Sequence, residues 1–457
     1  MAPVDRDTAV PTSAALDPRL WAASVRRNDQ GALEVAGQDV RELADQWGTP
    51  AYLMDEEDFR GRARAFRAAF SEAFADTGAD VFYAGKAFLC TAVAQWVAEE
   101  GLSLDVCTGG ELAVAVRAGL PGERIALHGN NKGLDEIEAA LRHGVGRIVL
   151  DSFDEIERVV EAATRLGVVA PVMIRVTTGV EAHTHEYVAT AHEDQKFGFS
   201  LSGGRAAEAA DRVLQRRDRL HLLGLHSHIG SQIFDLDGFE VAAARLVGLH
   251  AEVARRHGEP AELDLGGGFG IAYGSDQDPL TPQELARGLA DVVRRECAAR
   301  SVAVPHISVE PGRAVVGPTT FTLYRVGTVK RVDLDGGVSR TYVAVDGGMS
   351  DNIRPALYDA DYSCVLADRT GSEDSVLARV VGKHCETGDV VVRDSRLPAD
   401  VAPGDLLAVP GTGAYCRSLA SQYNHVPRPP VVALRDGQSR AIVRRETIDD
   451  LLALDAD

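Results

Sequence analysis

Eight short apolar runs, separated by segments with helical periodicity, constrain the fold of this chain more than any other feature. The segments between the runs have apolar residues at a spacing near 3.6 and often end in glycine, as amphipathic helices do. Strands that alternate with helices form parallel sheets, and eight such units over about 235 residues fit a closed (β/α)8 barrel of the TIM type. Periodicity alone leaves an open doubly wound sheet as the alternative. The eight runs cover residues 80–86, 102–108, 124–130, 146–152, 171–179, 221–230, 262–270 and 306–313.

A different composition begins after about residue 318. The apolar runs there are rich in β-branched residues, are punctuated by turns and have no helical segments between them, which predicts an antiparallel β-domain. The strand-like segment 50–56, PAYLMDE, is expected to pair with this domain. We therefore expect four regions: a flexible tail over 1–20, a segment over 21–55 that joins the β-domain, the barrel over 56–318, and a β-sandwich or β-barrel over 319–457.

Composition and charge exclude several classes of function. The 457 residues include 48 basic and 68 acidic side chains, for a net charge of −20, which disfavours nucleic acid and anionic membranes as partners. No apolar stretch approaches the length of a membrane-spanning helix, and the N-terminus lacks the features of a secretory signal. The six cysteines form no CxxC motif, so reduced thiols in a cytoplasmic protein are expected.

Polar residues follow nearly all of the apolar runs. In a barrel these C-terminal strand ends converge on one face, where the active sites of such barrels lie. Solubility alone does not explain so many polar strand ends, so we expect the active site on this face. The side chains concerned are Lys86, Asp105, His128, Asn130, Asp151, Arg175, His226, His228, Glu310 and Arg313.

Three groups on this face together predict a site for pyridoxal 5'-phosphate. Lys86, one of only five lysines, would be partly desolvated by apolar walls, which favours a nucleophilic amine. The glycines at 266–268 would offer three unhindered N–H groups to a phosphate. A buried Glu310 needs a cationic partner, which is either Arg313 or a pyridinium nitrogen. Each group alone has an ordinary structural explanation, but the set is what this cofactor requires.

Two histidine pairs raise a competing hypothesis from another class. His226 and His228 lie two residues apart, as do His183 and His185, so each pair shares one face of an extended segment. Such pairs bind metal in barrel hydrolases, which makes a metal-dependent hydrolase the alternative. A metal site needs three or four convergent ligands, and no acidic ligand lies near the first pair in the sequence. We therefore expect no metal.

With these motifs in place, the chain resembles the diaminopimelate decarboxylases, which are fold type III pyridoxal phosphate enzymes related to alanine racemase. The resemblance covers about residues 48–425, and HTHEYVATAHEDQKFGF is similar to actinobacterial members. It implies decarboxylation of meso-2,6-diaminopimelate to L-lysine and CO2, the last step of lysine biosynthesis by that route. The matching motifs include YAGKAF, DVCTGGEL, HGNNK, GLHSHIGSQ, DLGGGFG, EPGR, RPALY, GKHCETGD and GTGAYCRSLASQYN.

The resemblance also implies roles for the residues that bind the cofactor. Lys86 would form a Schiff base with the cofactor aldehyde, His228 would stack on the ring, and Glu310 would pair with the ring nitrogen. Asp105 and Glu111 match family positions, but no role is assigned to them. The residues implied to surround the phosphate are Ser231, Gly266, Gly267, Gly268, Arg313 and Tyr415.

For the substrate, the resemblance implies residues from both subunits of a homodimer. Arg313, Arg354 and Tyr358 would hold the carboxylates, with Tyr415 near the phosphate. Across the interface, the partner's copy of Cys385 would be the candidate proton donor, and its copy of Glu386 would face the distal ammonium.

Two alternatives share this fold. Decarboxylases of ornithine or arginine need no clamp for a distal carboxylate, so RPALY and CETGD favour diaminopimelate. A racemase would need a tyrosine as acid opposite the lysine, and Cys385 argues against it.

Overall fold

The computed structural model describes residues 16–180, 195–258, 260–333 and 339–456. His183 and His185 lie outside the described residues. The chain divides into two compact units. The barrel unit consists of Phe59–Ile271 and Asp278–Val315, and the β unit consists of Met1–Asp58, Ala272–Gln277 and Val316–Asp457. No helix in the described ranges is long and apolar enough to cross a membrane.

The N-terminal part of the β unit is ordered from its first described residues. Leu20 and Trp21 are buried in an apolar cluster, and Leu16 packs against it, so packed chain begins before the expected end of the tail at residue 20. The Asp39 side chain accepts the Arg41 N–H at the start of the first helix. The elements are β1 (Arg26–Arg27), β2 (Leu33–Val35), β3 (Gln38–Asp39), α1 (Val40–Trp47) and β4 (Ala51–Asp55).

The barrel unit has eight parallel strands that close on themselves, which confirms the predicted barrel and excludes the open sheet. After α2 (Glu56–Ala73), the barrel strands are β5 (Ala79–Ala84), β6 (Ser103–Val106), β7 (Ile125–Leu127), β8 (Arg147–Leu150), β9 (Ala170–Thr177), β11 (Leu220–His226), β12 (Glu262–Asp264) and β13 (His306–Val309), and β10 (Phe199–Ser200) pairs outside the ring with β9. The ring closes where β13 pairs with β5 and β8 pairs with β9.

Helices begin soon after several of the barrel strands end, on the face that carries the polar residues. The Thr108 and Ser152 side chains accept the N–H groups of Glu111 and Glu155, which fixes where two helices start. The short turn 85–87 holds Lys86 directly after β5. The helices are α3 (Thr91–Glu99), α4 (Gly109–Ala118), α5 (Leu134–His143), α6 (Phe153–Leu166), α7 (Arg205–Gln215), α8 (Asp237–His257), α9 (Pro282–Arg300) and α10 (Arg313–Val316).

The remaining strands build a mixed sheet in the β unit, where an antiparallel one was expected. As predicted, the N-terminal strand β4 joins this sheet. It pairs with β14 antiparallel and with β20 parallel, and β15 pairs with β17 parallel. These parallel pairs are possible because long connections, unlike hairpins, let a strand return in the same direction. The elements are β14 (Thr320–Asp333), β15 (Ser339–Val345), α11 (Arg354–Tyr358), β16 (Val365–Leu366), β17 (Ser375–Val381), β18 (Val390–Pro398), β19 (Leu406–Val409), β20 (Val431–Arg435), β21 (Gln438–Val443) and α12 (Ile448–Leu452).

Candidate active site

Glu310 is the centre of a buried polar cluster at the C-terminal face of the barrel. It follows β13, and its Oε1 lies 3.1 Å from His226 Nε2 and 3.2 Å from His128 Nε2. His128 Nε2 lies in turn 2.8 Å from Asp105 Oδ1. None of these contacts has the alignment of a hydrogen bond, so Glu310 Oε1 has no aligned donor among the described residues. A buried carboxylate oxygen in this state is suited to a donor from a ligand.

The surroundings of Glu310 keep it ionised. Burial would raise its pKa, but the imidazoles of His226 and His128 outweigh burial and hold the pKa of Glu310 well below its ordinary value. Burial, with the Glu310 charge adding to it, raises the pKa of the neighbouring Asp264 well above its ordinary value. The surroundings therefore shift the pKa values of the two acids in opposite directions, which favours the ionised form at Glu310 rather than at Asp264. An anionic Glu310 matches a protonated ring nitrogen.

The glycine loop after β12 does not offer three free donors. Gly266 N donates to Asp264 Oδ1 at 2.9 Å, and Gly267 N donates to His228 Nδ1 at 3.2 Å. The prediction of three unhindered N–H groups was therefore wrong for Gly266 and Gly267. The N–H groups of the loop bind side chains on the same face of the barrel, and sequence periodicity cannot reveal such contacts.

Close packing of backbone explains why all three positions are glycine. The loop lies against the segments that follow β11 and β13, where no side chain fits. An added Cβ would lie 2.3 Å from Ser227 O at Gly266, 2.2 Å from Glu310 O at Gly267 and 2.5 Å from Gly230 O at Gly268.

His228 is held as a neutral ring. Its Nδ1 accepts the Gly267 N–H, so that nitrogen carries no proton. Burial and the nearby charge of Lys86 lower the pKa of His228 well below its ordinary value. Lys86 also acts electrostatically on Glu111, whose pKa is raised by burial. The structure thus brings Lys86 and His228 to the same face, with a flat uncharged imidazole suited to stacking.

Two further contacts organise this face. Arg313 Nη2 donates to Ser231 Oγ at 3.0 Å, which joins the segments after β13 and β11. Farther around the ring, Lys132 Nζ donates to Glu155 Oε1 at 3.0 Å, and both side chains are buried. Sequence reasoning missed Lys132 and Asp264. The signal for Asp264 was an acid at the end of β12, close before the glycine loop.

Arg354 is a buried cation of the β unit. It is only 6% exposed, and no described carboxylate lies within ion-pair distance of it. Its Nη1 donates to the Tyr362 hydroxyl, and its Cζ lies 4.8 Å from the ring centroid of Tyr273 and 5.6 Å from that of Tyr362. Burial opposes its charge, but Tyr273 and Tyr362 more than compensate and raise the pKa of Arg354. A buried cation without an anion fits an anionic ligand.

The other predicted residues of the β unit are accessible. Tyr358 is 63% exposed, and Cys385 and Glu386 are exposed in the loop between β17 and β18. The buried Asp389 carboxylate holds this loop: it accepts the Met349 N–H at 2.6 Å and the His384 N–H at 2.7 Å.

Tyr415 is half-buried, with a backbone φ of 61° in the left-handed region. The predicted residues thus fall into two sets. Lys86, His228, Ser231, the glycines 266–268, Glu310 and Arg313 belong to the barrel unit, and Arg354, Tyr358, Cys385, Glu386 and Tyr415 belong to the β unit.

The barrel face fits pyridoxal phosphate. It combines an ionised carboxylate whose Oε1 has no aligned donor among the described residues, a neutral histidine, a lysine at a strand end and a glycine loop packed against neighbouring backbone. His128, His226 and Glu310 also place ligand atoms within 4.8 Å of one another in the described part of the chain, as a metal ion would need. The acid that the sequence lacks near His226 is supplied by Glu310, which the fold brings to it from the segment after β13. This cluster differs from the predicted pair of His226 and His228, because it contains His128 in place of His228. The Nδ1 of His228 instead accepts the Gly267 N–H.

Comparison with known proteins distinguishes a pyridoxal phosphate enzyme from a metal-dependent hydrolase. Residues 57–317 match the family described as pyridoxal-dependent decarboxylase, pyridoxal binding domain. The diaminopimelate decarboxylase of Mycobacterium tuberculosis (strain ATCC 25618 / H37Rv) is 54% identical over 445 residues, 96% of this chain and 98% of that protein. That of Bacillus subtilis (strain 168) is 46% identical over 431 residues, 94% and 96% of the two chains. The crystal structure of diaminopimelate decarboxylase from M. jannaschii in co-complex with L-lysine has a TM-score of 0.89 at 30% identity, covering 96% of this chain and 99% of that chain.

Proposed function

The chain belongs to the diaminopimelate decarboxylases of the pyridoxal-dependent decarboxylase family, and we propose that it converts meso-2,6-diaminopimelate to L-lysine and CO2. Arg354 carries the substrate assignment, because its buried guanidinium lacks an anionic partner among the described residues. Diaminopimelate has a carboxylate at both ends, whereas ornithine and arginine have none at the distal end. A buried cation for that second carboxylate favours diaminopimelate over them.

The barrel residues would hold the cofactor by complementary charge and shape. When bound, pyridoxal phosphate supplies an electron sink for the pair left on the α-carbon. Lys86 would bind its aldehyde through Nζ, and Glu310 would keep a proton on its ring nitrogen. His228 would lie against the ring. Ser231, Gly268 and the backbone near Arg313 would face the phosphate, whereas the Gly266 and Gly267 N–H groups have protein partners.

The residues of the β unit would bind and protonate the substrate. Arg354 and Tyr358 would hold the carboxylate of the end that does not react, and Glu386 would face the ammonium of that end. After CO2 leaves, the Cys385 thiol would deliver a proton to the α-carbon, as a positioned acid can. Tyr415 would lie near the phosphate and the reacting end.

We further propose that the active unit is a homodimer, with Cys385 and Glu386 acting in the partner's site. Both side chains are exposed in the single chain, although their proposed work requires a closed site. Leu357, Tyr358 and Tyr423 of the same unit are also exposed, at 55%, 63% and 40%. Large apolar side chains in such exposed positions are suited to an interface between copies of this chain.

Product analysis tests the assignment. Purified protein is incubated with meso-diaminopimelate, with and without added pyridoxal phosphate, and with L-ornithine and L-arginine as controls. Cofactor-dependent release of L-lysine and CO2 from diaminopimelate alone is expected, unchanged by a metal chelator. Release of CO2 from a control amino acid would retain the family and change the substrate. Chelator-sensitive hydrolysis without decarboxylation would instead favour the metal hydrolase.

A further inference from the structure

Tyr362 contacts the proposed substrate arginine, although no sequence motif selects it. It is buried, and its hydroxyl accepts a hydrogen bond from Arg354 Nη1. The hydroxyl also lies 3.5 Å from Cys416 Sγ. Cys416 Sγ in turn lies 3.5 Å from Asn352 Oδ1, which accepts the Arg354 backbone N–H at 3.3 Å. Arg354 is therefore held at its backbone by Asn352 and at one guanidinium nitrogen by Tyr362, and Cys416 connects these two side chains.

The charge state of Tyr362 matters for binding. Burial raises the pKa of Tyr362 well above its ordinary value, so the hydroxyl stays protonated and cancels none of the arginine's charge. A carboxylate in its place would neutralise Arg354 and compete with an anionic ligand. Nη1 is the one guanidinium nitrogen with an acceptor among the described residues. A planar guanidinium fixed through one nitrogen keeps its other donors for a carboxylate in a defined orientation.

We propose that Tyr362 is a positioning residue that determines specificity. Its hydroxyl anchors Arg354 Nη1, so that the remaining guanidinium donors bind the carboxylate at the end of the substrate that does not react. The inference rests on the proposed function and adds the residue through which the distal carboxylate is selected.

The test compares two ligands that differ by one carboxylate. L-Lysine carries it, and 1,5-diaminopentane is L-lysine without it. In Tyr362→Phe the ring remains and the hydroxyl is lost. We expect the inhibition constant of L-lysine and the KM of meso-diaminopimelate to rise about tenfold. The inhibition constant of the diamine, and kcat, should change less than about twofold.

Two further variants separate positioning from structural damage. Tyr324→Phe also removes a buried tyrosine hydroxyl from the β unit, one that bonds to Asp351, and should leave the ratio of the two inhibition constants unchanged. Because Tyr362 acts through Arg354, adding Tyr362→Phe to Arg354→Lys should change that ratio little further. Equal weakening of both ligands by Tyr362→Phe, or full additivity with Arg354→Lys, would overturn the inference. A wild-type protein that neither converts diaminopimelate nor binds L-lysine would overturn the proposed function itself.

Discussion

Lysine is so rare in this chain that each lysine can be considered in turn as the one that binds the cofactor aldehyde. Five of the 48 basic side chains are lysines. Lys132 is buried against Glu155, while Lys330 and Lys383 are exposed on the β unit. Lys196 packs on the Phe197 ring, with its Nζ 4.8 Å from the centroid. Lys86 alone is half-buried directly after a barrel strand and acts electrostatically on His228, which supports the proposal that it binds the cofactor aldehyde.

Replacing Lys86 tests this assignment most directly. Lys86→Ala should lower turnover of meso-diaminopimelate by about three orders of magnitude or more, because no other amine can take its role. Borohydride reduction should no longer fix the cofactor to the protein, as measured by mass spectrometry. Lys330→Ala, an exposed lysine on β14, is the matched control and should behave as wild type. Near-normal turnover by Lys86→Ala would remove the central assignment.

Cys385 is the exposed member of the six cysteines. If its thiol delivers the proton, Cys385→Ala should lower kcat about 100-fold while the cofactor absorbance and the affinity for L-lysine persist. Cys297→Ala removes a buried thiol from α9 and should leave kcat unchanged. An unaltered kcat in Cys385→Ala would assign protonation to another group.

At the scale of elements, the glycine loop shows how backbone packing shapes the site. Gly267 has no positive φ, so only space forbids a side chain there. An alanine Cβ would lie 2.2 Å from the Glu310 carbonyl oxygen. Gly267→Ala should therefore lower stability by about 1–3 kcal/mol and weaken cofactor binding, as measured by thermal melting and by titration of the apoprotein.

Gly61→Ala is the control for that substitution. Gly61 lies inside α2, where an added Cβ meets nothing closer than Arg64 Nη2 at 3.9 Å. It should stabilise the protein by about 0.5–1 kcal/mol without affecting the cofactor. Equal effects of the two substitutions would contradict the steric explanation.

A second element-scale feature is the turn that follows β15, which is built on a buried acid. Asp351 Oδ1 accepts the Gly348 N–H at 2.7 Å, and Tyr324 donates to Oδ2. Burial raises the pKa of Asp351 to about 7, although both hydrogen bonds oppose it. Between about pH 4 and pH 7 the folded state therefore binds more protons at this site than the unfolded state. The contribution of Asp351 to the free energy of unfolding falls as pH rises through that window.

Asp351→Asn tests this prediction, because asparagine resembles the protonated acid and cannot ionise. The melting temperature of the variant minus that of wild type should increase from pH 5 to about pH 7 and then level off. Thermal melts of both proteins across that pH range measure the difference in melting temperature. Groups that titrate in the same way in both proteins do not contribute to this difference. A difference independent of pH would show that Asp351 does not titrate there.

At the scale of the whole molecule, a shared site predicts complementation between inactive variants. Lys86→Ala and Cys385→Ala damage different halves of each proposed site, so a mixed dimer contains one intact site. Random exchange of subunits should restore about a quarter of wild-type activity, since half of the dimers are mixed and one of their two sites is intact.

The control for complementation pairs two substitutions in the same half. Lys86→Ala mixed with Glu310→Gln should regain nothing, because every site then has a damaged barrel face. No recovery from Lys86→Ala with Cys385→Ala, with exchange verified by mass spectrometry, would place Cys385 in the site of its own chain.

The order of strand-like and helix-like segments along the chain was sufficient to predict the barrel, the separate β region and the face that carries the polar residues. The reason is that strand and helix periods follow from local geometry, and parallel strands bring their C-terminal ends together. Lys86, His128, His226 and Glu310 could be assigned to one face on this basis alone. The matching motifs then indicated the family, which the comparisons confirmed.

Contacts between distant segments were decided only by the tertiary structure. Asp264 and Glu310 lie 46 positions apart, yet their opposite pKa shifts depend on sharing one buried cluster. Three other features also depend on contacts between distant segments. They are the partners of the Gly266 and Gly267 N–H groups, the hydrogen bond of neutral Tyr362 to Arg354, and the parallel strand pairs of the β unit. The sequence by itself determined which elements form and which end of the barrel is polar, because those depend on neighbours along the chain. Which donors are occupied and which charges lack a partner depended on packing in three dimensions.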